Sequence, residues 1–318
     1  MTLTPRTASH LFKAAYLEWT EDNASRLAAA LAYYAAISLS PLLIILLGIV
    51  GLGFGPKAAA GQIMSQMEGL VGQQGAKLVQ DIIASANRPT TGIVSTVVGT
   101  IILLLGAAGV FGALRDGLNT VWEVTPKAGQ GVIGLIKDRF LSLAMVLGVG
   151  FLLLVSLVIS ATLSGLGKYM ARILPLPLVL LQVINILISF AVITLLFALI
   201  YKVLPDVEIA WHDVWIGAVI TSFLFTIGKF AIGLYLGKST VGNAYGAAGS
   251  LVIILIWIYY SAQILFFGAE LTQVYANTFG SRIRPRADAL TGAKQAGALH
   301  EMSATGAVRS PGVQQEDG

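Results

Sequence analysis

Residues 250–276 read SLVIILIWIYYSAQILFFGAELTQVYA, an apolar run long enough to cross a bilayer, since about 20 residues rise roughly 30 Å as a helix. It is not uniformly apolar. Tyr260, Gln263, Glu270, Gln273 and Asn277 recur at spacings of three, seven, three and four, which fall along one face of a 3.6-residue helix. Lipid offers polar groups no partners, so a striped spanning helix must turn that face toward protein or water. The rest of the chain has to supply the opposite wall.

Other long apolar runs exclude a single soluble core. Only 11% of residues are charged, against about 25% in ordinary soluble domains. The net charge of +4 lies in loops and tail, which fits membrane orientation and anionic headgroups rather than nucleic acid. Cysteine is absent, so thiol catalysis, disulfides and Cys-based metal sites are excluded. No cleavable signal is expected at the N-terminus, and the first span is expected to direct insertion itself.

The expected class is an all-α polytopic membrane protein with six transmembrane helices. Residues 1–26 form an N-terminal cytoplasmic segment, with residues 1–9 disordered. From Ser9 to Thr20, Leu11, Phe12, Ala15, Tyr16 and Trp19 share one helical face. Two readings are open for this amphipathic helix: lying in the interface, or packed on the protein's own cytoplasmic face. Residues 27–277 form the membrane domain, with spans near 27–50, 92–114, 140–166, 178–203, 214–236 and 250–276. Pro41 is placed to kink the first span. Residues 57–90 are read as an extracytoplasmic helical hairpin turning near Gly72–Gly75. Gly92, Gly99, Gly106 and Ala113 repeat every seven residues, a seam of small residues suited to close helix approach. Residues 278–318 are expected to be a disordered cytoplasmic tail. Lys and Arg divide 13 against 6 between the two sets of loops, which predicts both termini in the cytoplasm.

The candidate functional residues are polar groups inside the spans. Lys229 lies within the fifth span with Ser222 and Thr226 at helical spacing, and an intramembrane lysine costs at least about 2.5–3.5 kcal/mol on insertion scales. Depth along the helices brings Asn185 and the Tyr259/Tyr260 pair to its level. This predicts an outer polar cluster with a cation suited to a phosphate or carboxylate, against the alternative that Lys229 snorkels outward. Glu270 falls near the cytoplasmic end of the sixth span. Its two readings are a salt bridge with Arg115 or Arg26, or a proton- or ion-coupling carboxylate. Tyr33, Tyr34 and Ser38 of the first span are expected to complete the wall.

Asp206, Glu208, His212 and Asp213 cluster on one short connection, but one His and scattered carboxylates are a weak metal signal, and capping or turn roles fit better. The chain shows no nucleophile elbow, phosphate-binding glycine loop or zinc-protease helix. No metal and no cofactor is expected.

Three long segments carry a resemblance: DNASRLAAALAYYAAISLSPLL (Asp22–Leu43), YKVLPDVEIAWHDVWIGA (Tyr201–Ala218), and the stretch from Gly242 to Ala276 that begins GNAYGAAGS. The chain resembles the YihY/BrkB family of bacterial inner-membrane proteins over roughly residues 10–280, with the tail after Arg286 outside the shared pattern. The resemblance implies a six-helix integral membrane protein. Some members carry a ribonuclease label and others a virulence or serum-resistance label. A ribonuclease fits poorly, because the chain lacks a metal-ligand cluster, a His pair for acid–base cleavage and a sizeable basic domain.

The leading expectation is a non-enzymatic transporter or flippase-like protein of the bacterial inner membrane. Its partners are membrane lipids and an amphipathic or anionic envelope cargo, with no nucleic acid. The cavity residues are expected to be Lys229, Asn185, Tyr260, Gln263, Glu270, Tyr33, Tyr34, Ser38 and Thr226. The alternatives are a structural or assembly protein of the envelope and, third, a membrane-embedded enzyme.

Overall fold

The computed structural model describes residues 5–86, 109–126, 178–238, 245, 248–280, 284–285 and 289–291. Seven helices appear among them: α1 (Pro5–Glu21), α2 (Ala24–Phe54), α3 (Pro56–Ala86), α4 (residues 109–121), α5 (Leu178–Val203), α6 (Trp211–Lys238) and α7 (Gly249–Thr278). Four very short strands join them: β1 (Val124–Pro126), β2 (Val207–Glu208), β3 (Arg284–Pro285) and β4 (Ala289–Thr291). Among the described residues α5, α6 and α7 contain apolar stretches long enough to cross a bilayer. The expected spans at 178–203, 214–236 and 250–276 lie in them. The expected first span lies inside α2, which continues as one helix through Pro41. The span expected at 140–166 and most of 92–114, including its glycine seam, lie outside the described residues.

The helices assemble around the second half of α7, which is buried on every side from Gly268 to Gln273. Its partners contribute small residues where backbones come close: Ala24 and Ala28 from α2, Ala198 from α5 and Ala218 from α6 are all fully buried. Where a helix must approach closer still, the residue is glycine. A Cβ at Gly217 of α6 would sit 2.7 Å from Thr272 Cβ, and one at Gly268 of α7 would sit 2.6 Å from Tyr201 Oη. Neither position tolerates a side chain without moving the helices apart. The close seam also carries hydrogen bonds. Tyr201 Oη donates to the Leu265 carbonyl at 2.8 Å, with Thr221 Oγ1 3.2 Å away, while Thr221 and Thr272 donate to the carbonyls of Gly217 and Gly268.

The outward face is the reverse. Trp215, Val219, Phe223, Ile227, Phe230 and Leu234 of α6 are all exposed and follow one another at intervals of four or three, one stripe of the helix. Such a continuous apolar surface is a liability in water and the proper surface in a bilayer. At the start of this stripe Lys202 Nζ lies 5.6 Å from the centre of the Trp211 ring and donates to the Ile209 carbonyl.

Three details bear on the sequence expectation, and the second falls where the hairpin is expected to turn. Helix α1 begins at Pro5, so residues 5–9 are helical rather than disordered. Leu11 and Ala15 are buried and the Phe12 ring meets Phe267 of α7 at 6.2 Å, while Phe12, Tyr16 and Leu17 remain exposed. The helix thus packs on the bundle and still offers an apolar outer face. Second, α3 is interrupted at Gly72, whose φ of 72° and ψ of 176° are open to glycine. Ile63 before the break and Val79 and Ile83 after it join one cluster with Leu43 of α2 and Ile254 of α7. Both limbs therefore lean on helices at positions expected inside spans. Third, the segment after α7 is not wholly free: β3 pairs antiparallel with β2, and β4 with β1. The short connections after α4 and α5 have unpaired backbone groups, and the C-terminal segment supplies their partners. Residues 292–318 lie outside the described residues.

Candidate functional site: a lateral cavity and a carboxyl cluster

Helix α7 positions two polar residues at its middle, Tyr260 and Gln263. At about 1.5 Å per residue they sit roughly half-way along its length of about 45 Å. There α7, the middle of α6 and the C-terminal half of α1 diverge, leaving a cavity of about 330 Å³ walled by Tyr16, Trp19, Ile227, Tyr260, Gln263 and Phe267, among others. That volume is at the small end of ligand pockets. Gly228 of α6 keeps the wall thin: a Cβ there would lie 2.6 Å from Ile264 and 3.0 Å from the Tyr260 ring. Ile227 and Tyr16 line the cavity and are also exposed on the outer surface, so its mouth opens sideways between α1 and α6. The walls are aliphatic and aromatic. Beside them Gln263 Oε1 and Trp19 Nε1 are fully buried with no hydrogen-bonding partner among the described residues.

The second feature lies further along α7. Glu270 is fully buried, and neither carboxyl oxygen has a hydrogen-bonding partner of fixed geometry among the described residues. Its electrostatic neighbours are Asp22 and Glu18 from the end of α1 and Glu123 from the turn after α4. The Asp22 carboxyl faces it closely enough to interact. Asp22 is half-buried, and burial first, then Glu123 and Glu18, push its carboxyl up to about 6. The elements that deliver these groups meet in tight turns: Asn23, between α1 and α2, and Glu123 both adopt the left-handed conformation with φ of 52°.

The sequence-expected residues therefore separate. Tyr260 and Gln263 line the cavity, and Glu270 belongs to the carboxyl cluster. Lys229 follows Gly228 on α6, half-buried and outside the cavity lining. Thr226 and Ser38 donate to the Ser222 and Tyr34 carbonyls of their own helices, each at 2.7 Å. Tyr33 is exposed; Tyr34 is partly so, with its ring against Gly109 of α4. The side chain of Asn185 lies outside the described residues. Arg115 does not hydrogen-bond Glu270. It grips Asp206 with two bonds of 2.8 and 3.0 Å. Asn119 Nδ2 donates to the same carboxylate at 2.9 Å and its Oδ1 accepts from the Asp206 N–H at 2.8 Å. Asp206 is thus a buried anchor for the α5–α6 connection. No group of three or more metal-ligating side chains occurs among the described residues.

Sequence reasoning missed Trp19, Tyr16, Asp22 and Asp206 as members of these sites. The first two were visible as an i, i+3 pair on an amphipathic helix; their rings stack at 6.0 Å. Asp22 follows Glu18 by four residues, on the same helical face. The Arg115–Asp206 pairing spans 91 residues of chain and leaves no local signal.

A helical bundle with apolar spanning helices, a lipid-compatible outer stripe and a paired polar interior defines an integral membrane protein. The profile of the family described as Virulence factor BrkB matches residues 15–291, and the chain belongs to that family. That match extends past Arg286 to the end of β4. Curated relatives carry the name UPF0761 membrane protein. One from Aeromonas salmonicida is 25% identical over 272 residues, covering 83% of this chain and 88% of its own length. One from Tolumonas auensis is 29% identical over 181 residues, covering 56% of this chain and 57% of its own. One from Verminephrobacter eiseniae is 30% identical over 175 residues, covering 55% and 40%. The matches thus span about half the length of the last two relatives. No solved structure matches the chain.

Proposed function

We propose that the protein is a transporter or flippase-like carrier that moves an amphipathic, anionic envelope component across the bacterial inner membrane. In this reading six helices span the bilayer, both termini face the cytoplasm, the α3 region lies toward the outside, and membrane lipids are the immediate partners. The observation that carries it is the mid-depth cavity opening sideways between α1 and α6. Its apolar walls suit acyl chains, which reach it from the surrounding lipid without crossing water. Lys229, beyond the cavity, supplies a cation for an anionic headgroup on its outward path.

The test uses liposomes containing the purified protein and a trace of fluorescent anionic phospholipid, with translocation read by a membrane-impermeant quencher. The wild-type protein should accelerate transfer over empty liposomes, and Ile227→Trp, an exposed position at the mouth, should slow it several-fold without loss of fold. Lys229→Met should weaken transfer of anionic more than of zwitterionic lipid. Transfer no faster than in empty liposomes, whatever the headgroup, would remove the proposal.

One observation favours a second reading, that of a structural or assembly protein of the envelope. Around Tyr201 and Asp206 the polar interior is paired and closely packed. A scaffold would leave lipid transfer at background while its deletion still altered envelope integrity.

A further inference from the structure

We propose that the lateral cavity is a binding site for a single acyl chain of a membrane lipid, entering from the side while the headgroup stays outside, and that Gly228 sets the room the chain is given. This deepens the reading above by naming what the site holds. It does not require the lipid to cross the membrane.

Depth identifies the occupant. The exposed stripe of α6 runs from Trp215 to Leu234, which at about 1.5 Å per residue covers about 28 Å, close to the roughly 30 Å of a bilayer's hydrocarbon core. Ile227, at the mouth of the cavity, belongs to that stripe. It lies about 18 Å from the Trp215 end and about 10 Å from the Leu234 end, among acyl chains rather than headgroups.

The lining agrees. No charged side chain belongs to it among the described residues, and Lys229 lies outside it, so an anionic headgroup would leave water for a place without a counter-charge. Water itself is no better suited: walls that include Leu224, Ile227, Ile264 and Phe267 give it few partners, and apolar cavities stay dry. An empty cavity forfeits the dispersion contacts of its wall atoms, and a chain from the adjoining lipid restores them. A volume of about 330 Å³ has room for one chain and not for a whole two-chain lipid.

Moving a chain from bilayer to cavity gains nothing from the hydrophobic effect, because lipid is as apolar as the walls. Fit therefore decides occupancy. A Cβ at Gly228 would lie 2.6 Å from Ile264 Cδ1 and 3.0 Å from Tyr260 Cε1, and both side chains line the cavity. The Ile264 methyl is the free end of a flexible side chain and can give way. An alanine at Gly228 thus takes space from the cavity instead of forcing α6 off α7.

Trp19 lines the cavity and reports the chain. A parent protein carrying Trp211→Phe and Trp215→Phe, which removes the two exposed indoles of α6, is placed in nanodiscs of phosphatidylcholine with a dibrominated acyl chain. The quenching lost on adding Trp19→Phe is the Trp19 share. That share should be large in the parent, fall several-fold with Gly228→Ala, and return when Ile264→Val, which deletes Cδ1, is added. Lipid touching only the outside of α1 would quench Trp19 equally in all three, which overturns the site. So does a share near zero in the parent. Should Gly228→Ala fail to fold, Ile227→Phe decides: a ring at this exposed position should cut the quenching several-fold, and no change overturns the site. Quenching that follows this pattern without lipid transfer removes only the transport reading, and transfer without the pattern removes only the chain site.

Discussion

Asp206 is the single side chain whose loss the structure should feel most. Two bonds from Arg115 and one from Asn119 meet on a nearly fully buried carboxylate, and removing one partner strands a buried charge. Asp206→Ala should therefore cost about 3–5 kcal/mol, read as a lower unfolding midpoint in detergent. Arg115→Met combined with Asp206→Leu should recover part of that loss. Asp22 carries a different signature. Its carboxyl is raised from 3.8 to about 6 by the fold, so stability falls as the pH rises from about 4 through 6. Asp22→Asn should match the wild type below about pH 4 and exceed it at pH 8 in thermal stability. These two residues also mark how far the sequence could be read. Tyr260, Gln263 and Glu270 were visible because polar residues in an apolar helix violate the local pattern. Asp206 sits in a polar connection where a carboxylate violates nothing, and its partner is distant in the chain.

At the scale of elements, the contact between α6 and α7 is set by the absence of side chains. Gly217→Ala places a methyl group against Thr272 and should cost about 1–3 kcal/mol through overpacking. Thr272→Ala in the same chain should restore some of it, a non-additivity measurable by a thermal double-mutant cycle. The apolar runs announced α5, α6 and α7 because a bilayer enforces length and composition together. The amphipathic face of α1 was equally readable, though not which surface it would lie on. The pairing of β1 to β4 and of β2 to β3 was not readable at all. Strands of two or three residues are too short to show an alternating pattern, and their pairing depends on where the helices have brought the loops. The split of the expected polar cluster has a similar cause. Depth along a helix follows from counting residues, but rotation about its axis is fixed by neighbours, and this turned Gln263 into the cavity and left Lys229 outside its lining.

For the whole molecule, the C-terminal segment acts as a clasp across two connections that are distant in sequence. A chain ending after Thr291 should retain the wild-type unfolding midpoint and resistance to proteolysis, whereas one ending after Gly280 should lose both. Limited proteolysis of residues 122–126 and 204–210 would check this, with equal cleavage of the two chains as the contrary result. The clasp also imposes an order of events. Every helix described here precedes β3 and β4, so during synthesis the bundle is threaded into the membrane while both connections still lack their hydrogen-bonding partners. A ribosome that stalls before Arg284 leaves a product that is inserted but unfinished, with two loose peptide segments that a surveillance protease can recognise.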